Sequence, residues 1–170
     1  VAAESAPVRI VVMGPSGSGK STVGLALAER LGAAFVDGDD LHPPSNVAKM
    51  AAGIPLDDDD RMPWLALVGE TLRASERIVV ACSALKRSYR DAIRAGEPDA
   101  FFAELAVGRS VLAERVKLRS AHFMPASLLD SQLLTLEPLE PDERGIRVDE
   151  SAGVVEAVAL IGGAAGVTLA

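Results

Sequence analysis

An apolar run rich in β-branched residues, Val8 to Met13, breaks into Gly14-Pro15-Ser16-Gly17-Ser18-Gly19-Lys20-Ser21, and a stretch with helical spacing follows at once. No other feature constrains the fold so tightly. A run without polar alternation suits a strand buried on both faces, which belongs in a parallel sheet. Val23, Leu27, Ala28 and Leu31 then recur along one helical face, and Gly32 offers a stop. The octapeptide between them matches G-x-x-x-x-G-K-[ST] in full, in the strand–turn–helix setting that the pattern requires. Its glycines let backbone N–H groups turn inward around phosphate oxygens, and the helix that opens near Lys20 adds its positive dipole end. Lys20 is expected to reach the β- and γ-phosphates of a nucleoside triphosphate and Ser21 to ligate Mg²⁺. Gly14, Ser16, Gly17, Ser18, Gly19 and Thr22 complete the expected nucleotide cradle.

Further short apolar segments predict strands at Ala34 to Val36, Arg77 to Cys82, Phe101 to Val107 and Ile146 to Val148. Helical spacing between them covers roughly Ser45–Ala51, Met62–Ser75, Lys86–Arg94, Arg109–Arg119, Pro125–Leu136 and Ala152–Ile161. Strands alternating with helices imply a three-layer α/β domain: a five-stranded parallel sheet with helices on both faces. Ligands of such sheets bind at the carboxyl ends of the strands, so the polar residues just after each strand are the ones to weigh. The 170 residues amount to one domain, and no internal repeat or low-complexity linker divides them.

Composition trims the functional classes. Seventeen basic against 24 acidic residues leave a formal charge of −7, which argues against a nucleic-acid or anionic-membrane surface. One cysteine, Cys82, allows no intrachain disulfide and fits a reducing compartment. The sequence as given opens with no charged leader and apolar run, and its most apolar tail, Ala157 to Ala170, is glycine-broken and shorter than the ~20 residues of a membrane span. The expectation is a cytoplasmic protein without a membrane or nucleic-acid partner.

Three classes share the phosphate cradle: GTPase switches, motor or regulatory ATPases, and small-molecule kinases. The guanine-reading N-K-x-D sequence is missing; Asn46 is the only asparagine. The strand Ile78 to Ala81 runs into Cys82-Ser83-Ala84 with no carboxylate, where a motor ATPase places an acid. The acids instead follow the second strand, as Asp37-Gly38-Asp39-Asp40. There one carboxylate, Asp39, can accept the proton of an acceptor hydroxyl, and its neighbour Asp37 can hold the metal through water. The same residues also suit an acidic turn or helix cap. Arg115 and Arg119 lie four apart on an expected helix and share a face. They read either as lid arginines that stabilise the transferred phosphoryl group, with Arg115 stacked on the adenine, or as the solvated cationic end of a helix.

Beyond these residues stand Leu41-His42-Pro43, Asn46 with Lys49-Met50, Gly53-x-Pro55-Leu56 and Asp58-x-Asp60-Arg61-x-Pro63-Trp64-Leu65. Cys82-Ser83-Ala84-Leu85-Lys86, Tyr89-Arg90-Asp91, His122-Phe123-Met124, Ser131-Gln132, Leu136-Glu137 and Asp142-Glu143-Arg144 follow. Taken in order with the cradle, these segments resemble the gluconate kinase family of small P-loop kinases, from about Ile10 to Asp149. The sequence departs from the family pattern at Pro44-Ser45, where a basic residue is common. The resemblance implies transfer of the γ-phosphate of ATP to gluconate, with Mg²⁺, and a homodimer. It also implies a lid, placed at 119–137, and a substrate-binding helical region, placed at 41–64, that close over the reaction. Gluconate is a carboxylate-bearing polyol, so Arg61, Lys86 and Arg90 are candidate cations for it, and His122 and Gln132 further candidate contacts. A kinase for another sugar acid or polyol, and a nucleotide-dependent binding module without turnover, are the competing readings. Asp57 to Asp60 are expected to cap a helix, Trp64 and Tyr89 to pack, and Cys82 to be small and buried.

Overall fold

The structure, a computed structural model, describes residues 6–118 and 126–170, with the backbone alone at 126–128. Five parallel strands form one sheet in the order β2-β3-β1-β4-β5: β1 (Val8–Met13), β2 (Ala34–Asp37), β3 (Arg77–Ala81), β4 (Phe101–Ala106) and β5 (Gly145–Asp149). The register sets Val8 of β1 opposite Arg77 of β3, and Ile10 opposite Phe101 of β4. Helices α1 (Lys20–Leu31), α2 (Pro44–Ala51), α3 (Asp58–Arg73), α4 (Arg87–Gly96), α5 (Arg109–Leu118), α6 (Ala126–Thr135) and α7 (Val154–Ala165) join them.

The strand pleat divides the core in two. Val8, Ile10 and Val12 of β1 point to one face, where Leu27 and Ala28 of α1 and Val158 and Ile161 of α7 cover them. Val11 and Met13 point to the other, onto Trp64, Leu65 and Val68 of α3 and Ile93 of α4. Burial on both sides is why these strands read as unbroken apolar runs rather than alternating ones. Each fully buried side chain of this kind contributes about 1.5–3 kcal/mol.

The sheet and its helices match the sequence expectation closely, with two boundaries displaced: α7 runs on to Ala165, four residues past Ile161, and the start of α3 moves. Helix α3 begins at Asp58, a turn before Met62. Asp57 accepts from the Asp60 amide at 2.8 Å while the Asp60 carboxylate accepts from the Asp57 amide at 3.1 Å, a reciprocal capping box. The acidic run thus caps and charges the helix start, as expected, and Pro63 lies inside the helix. All the strands end on the same edge of the sheet, and that edge carries the loop after β1, the acids after β2 and Ser83 after β3.

Candidate active site

The loop between β1 and α1 is held by left-handed or otherwise glycine-only backbone at Gly14 (φ 153°), Gly17 (φ 82°) and Gly19 (φ 89°). A Cβ on Gly14 would stand 2.6 Å from the Ser18 hydroxyl and 3.2 Å from the Leu105 carbonyl, so no other residue fits there. Gly19 is the N-cap of α1, and no side chain caps it. The first amides of the helix, at Lys20, Ser21 and Thr22, therefore offer hydrogens to an anion, beside the positive end of the dipole. Two groups grip the loop from outside. The Ser16 amide donates to Gln132 Oε1 of α6 at 2.8 Å, and Arg115 Nη1 of α5 donates to the Gly17 and Ser18 carbonyls at 3.1 and 3.4 Å.

Strand β2 delivers the acids. Asp37 Oδ2 accepts from the Ser21 hydroxyl at 3.1 Å, and its Oδ1 accepts from the Asp39 amide at 3.0 Å. Asp37 caps the 3₁₀ turn Gly38–Leu41, and its carboxylate also lies beside the Ser21 hydroxyl expected to meet a metal. Two hard oxygens converging at a phosphate cradle fit Mg²⁺, which takes one or two protein ligands and completes its shell with phosphate and water. The turn is drawn tight onto β3, because a Cβ on Gly38 would lie 2.6 Å from the Ala81 carbonyl. From the other side the Trp64 indole donates to the Gly38 carbonyl at 2.7 Å. Trp64 is core, as expected, and also an anchor for this turn.

Lys20, Asp39, Arg61 and Gln132 line one cleft of about 240 Å³, with apolar walls from Ile54, Leu56 and Trp64. That is at the small end for ligand sites, which run about 300–1,000 Å³, and it suits a small acceptor beside the phosphates. The Leu56 carbonyl accepts from Arg61 Nε at 3.1 Å, and the guanidinium lies 5.5 Å from the Tyr89 ring centroid. These contacts fix Arg61 between the cleft and a neighbouring recess that it also lines.

Lys86 opens on that recess rather than on the cleft, and lies 3.3 Å from Asp58. Tyr89 packs, as expected, and its hydroxyl donates to Asp58 at 2.6 Å. Bonds from Tyr89 and then Lys86 hold the Asp58 carboxyl below its usual range. Arg90 corrects the sequence reading. It is fully buried, paired with Glu143 at 2.6 and 2.7 Å and bonded to the Glu137 carbonyl at 3.0 Å, so it holds the fold together and does not face the acceptor. The spacing of Tyr89-Arg90-Asp91 could not show which way the helix turns. Arg119 and His122 lie outside the described residues. Burial pushes the Cys82 thiol up to about 12, so it stays a protonated core residue.

Three polar lining residues had no role assigned from sequence: His42, Ser83 and Ser131. Ser83 stands two residues past the end of β3, so the strand-end rule pointed to it; the other two are placed by the packing of the chain.

A family profile described as an AAA domain matches residues 10–139. The gluconokinase of Gluconobacter oxydans is 52% identical over 146 residues, covering 84% of this chain and 82% of that protein. This chain belongs to the gluconokinase family. A crystal structure of a gluconokinase from Sinorhizobium meliloti superimposes with a TM-score of 0.86 at 51% identity, over 96% of this chain and 94% of that one. The fold extends beyond gluconokinases: an APS kinase from Mycobacterium tuberculosis aligns with a TM-score of 0.67 at 16% identity, over 94% of this chain and 98% of its own. Among the described residues no helix is long and apolar enough to cross a membrane.

Proposed function

We infer that this chain is a gluconokinase, moving the γ-phosphate of ATP to the terminal hydroxyl of D-gluconate to give 6-phospho-D-gluconate. The observation that carries the reading is that Lys20 of the phosphate cradle and Asp39 and Arg61 share one cleft. A binding module without turnover has no use for a carboxylate facing the γ-phosphate. Asp39 orients the acceptor hydroxyl and takes its proton, and Arg61 holds the acceptor. Lys20 neutralises charge on the moving phosphoryl group. Ser21 and Asp37 would hold Mg²⁺, which supplies further neutralisation of the phosphates. Arg115 serves the adenine side, and Arg119, with His122, arrives when segment 119–137 closes as a lid. Segment 41–64 closes from the acceptor side. Lys86 reaches the acceptor only by leaving Asp58. A cytoplasmic homodimer completes the proposal, and light scattering of the purified protein reads its mass directly.

An ADP-release assay over a panel of sugar acids and polyols tests the function. Gluconate is expected to give the highest kcat/KM, with phosphate found on its terminal carbon by mass spectrometry. ADP release that ignores the acceptor overturns the kinase reading.

Replacing Lys20 by Ala is expected to lower kcat on the order of 10²–10³-fold, the usual cost of one lost transition-state donor, with the melting temperature preserved. A folded variant with unchanged kcat removes Lys20 from the chemistry. Arg61→Ala is expected to raise the KM for gluconate about 10–100-fold, the worth of a charged hydrogen bond, and to leave that for ATP in place. Separate titrations decide it: weakened ATP alone reverses the division of the cleft.

A further inference from the structure

His42 follows the turn that carries Asp39, and its imidazole is held by a ring stack on one face and a hydrogen bond at Nδ1. Its ring stacks on Trp64 with centroids 4.0 Å apart and planes 19° from parallel, and its side chain is only 4% exposed. Asn46 of α2, itself buried, fixes the ring's protonation. The Asn46 Nδ2 atom lies 2.9 Å from the Asp60 carbonyl oxygen, which can only accept. That position therefore belongs to the amide nitrogen, since the reversed amide would set oxygen against oxygen. The same Nδ2 lies 3.2 Å from His42 Nδ1. An amide NH₂ can only donate, so Nδ1 must accept, and the ring proton must sit on Nε2. An imidazolium would set N–H against N–H at this contact. Burial, the larger influence, also holds the ring's pKa below its ordinary value, with Asp39 opposing and Arg61 assisting.

His42 Nε2 faces Asp39 Oδ1 at 4.0 Å, and both residues line the cleft. The Asp39 side chain is 69% exposed, so its carboxylate is free to turn toward the ring. Contacts of this kind are often long without substrate and shorten when the site fills. We propose that His42 is a positioning residue, locked by Asn46 as the Nε2–H tautomer so that it donates to one Asp39 oxygen and leaves the other aimed at the acceptor hydroxyl. The proposal rests on the reading of Asp39 as the base. The chain Asp60 carbonyl–Asn46–His42–Asp39 then couples the start of α3, which also carries Arg61, to the reacting group. One array of hydrogen bonds sets the base and the acceptor's cation relative to each other.

Two measurements on the full-length protein test this. The chain has two histidines, so nitrogen-15 spectra of their rings are simple, and the set that vanishes in His42→Gln belongs to His42. The expected pattern near neutral pH is a bare Nδ1 and a protonated Nε2; the opposite tautomer, or an imidazolium, overturns the proposal. The second measurement is a mutant cycle. His42→Phe keeps the ring on Trp64 and removes both nitrogens, and kcat is expected to fall about 10–100-fold, the worth of a hydrogen bond to a charged group, with the KM for ATP unchanged. His42→Gln, whose amide can donate from near the Nε2 position, is expected to recover most of the loss. In an Asp39→Asn background, His42→Phe is expected to add little, because both changes strike one unit. Equal factors in both backgrounds, or a Gln variant no better than Phe, overturn the positioning role. An active Asp39→Asn enzyme overturns the base assignment itself; full turnover in His42→Phe beside an inactive Asp39→Asn overturns this inference alone.

Discussion

Asp39→Asn is expected to lower gluconate turnover about 10²–10⁴-fold, the range for loss of a general base, while ATP binding is retained. Asparagine keeps the size of the side chain and its place at the mouth of the cleft, but its amide cannot take up the acceptor's proton. The turn itself should survive, because its cap is the Asp37 carboxylate and its other anchors are the Trp64 indole and the close contact of Gly38 with Ala81. None of these uses the Asp39 side chain. The check is saturation kinetics in both substrates, with ATP binding measured in parallel by calorimetry. A variant that loses ATP affinity and keeps its turnover at saturation would place Asp39 on the nucleotide side and Asp37 nearer the acceptor.

The largest expected loss of stability follows from Glu143→Gln. Glu143 and Arg90 have fully buried side chains, and their two bonds of 2.6 and 2.7 Å form a bidentate pair. Arg94 adds a further bond to Glu143, and the Glu140 amide donates to it at 2.8 Å. Arg90 also donates to the Ala84 and Glu137 carbonyls, tying α4 both to the loop after β3 and to the segment that follows α6. Removing the carboxylate leaves a buried guanidinium without a counter-charge, at a cost of about 3–5 kcal/mol. Urea unfolding measures it directly. Arg90→Met in the same background is expected to recover part of the loss, because the stranded charge goes with it. A Glu143→Gln protein as stable as the parent would show that the pair is hydrated in solution.

The same carboxyl predicts an acid limit. Burial works to raise its pKa, but the bonds from Arg90, the Glu140 amide and Arg94 together bring it down to about 2, from an ordinary 4.5. In that interval the unfolded chain binds the proton and the folded chain does not, so stability falls as pH falls. The contribution is complete above about 4.5 and lost as the pH drops toward 2. Glu143→Gln is therefore expected to flatten the acid limb of the stability curve as well as lower its plateau.

Much of this molecule is local and hence legible in its sequence. The strand–glycine turn–helix unit is contiguous, so its backbone requirements, at Gly14, Gly17 and Gly19, appear in the order of the letters. Strands buried on both faces announce themselves as apolar runs, and their alternation with helices leads to a parallel sheet. The acids after β2 were visible for the same reason, since a position at a strand's carboxyl end is a position along the chain. Arg90 marks where this legibility ends. A cation beside a motif looks the same in sequence whether it faces a cleft or a buried glutamate 53 residues on. Its role depends on how α4 is rotated, and Tyr89 and Ile93 settle that by packing into the core.

The role of His42, and the contacts made by the candidates Gln132 and Arg115, lie beyond the same limit. Gln132 reaches the Ser16 amide across 116 positions of chain, and Arg115 reaches the Gly17 carbonyl across 98. These two partners are distant in the chain, so the letters alone do not show what either side chain touches. By itself, then, the sequence determined the cradle, the sheet and the carboxylates at its edge, because these are set by backbone geometry over a few neighbouring residues. Which cation lines the cleft and which is buried as a strut were decided only when distant segments packed, because a side chain's charge takes its role from whatever the fold sets against it.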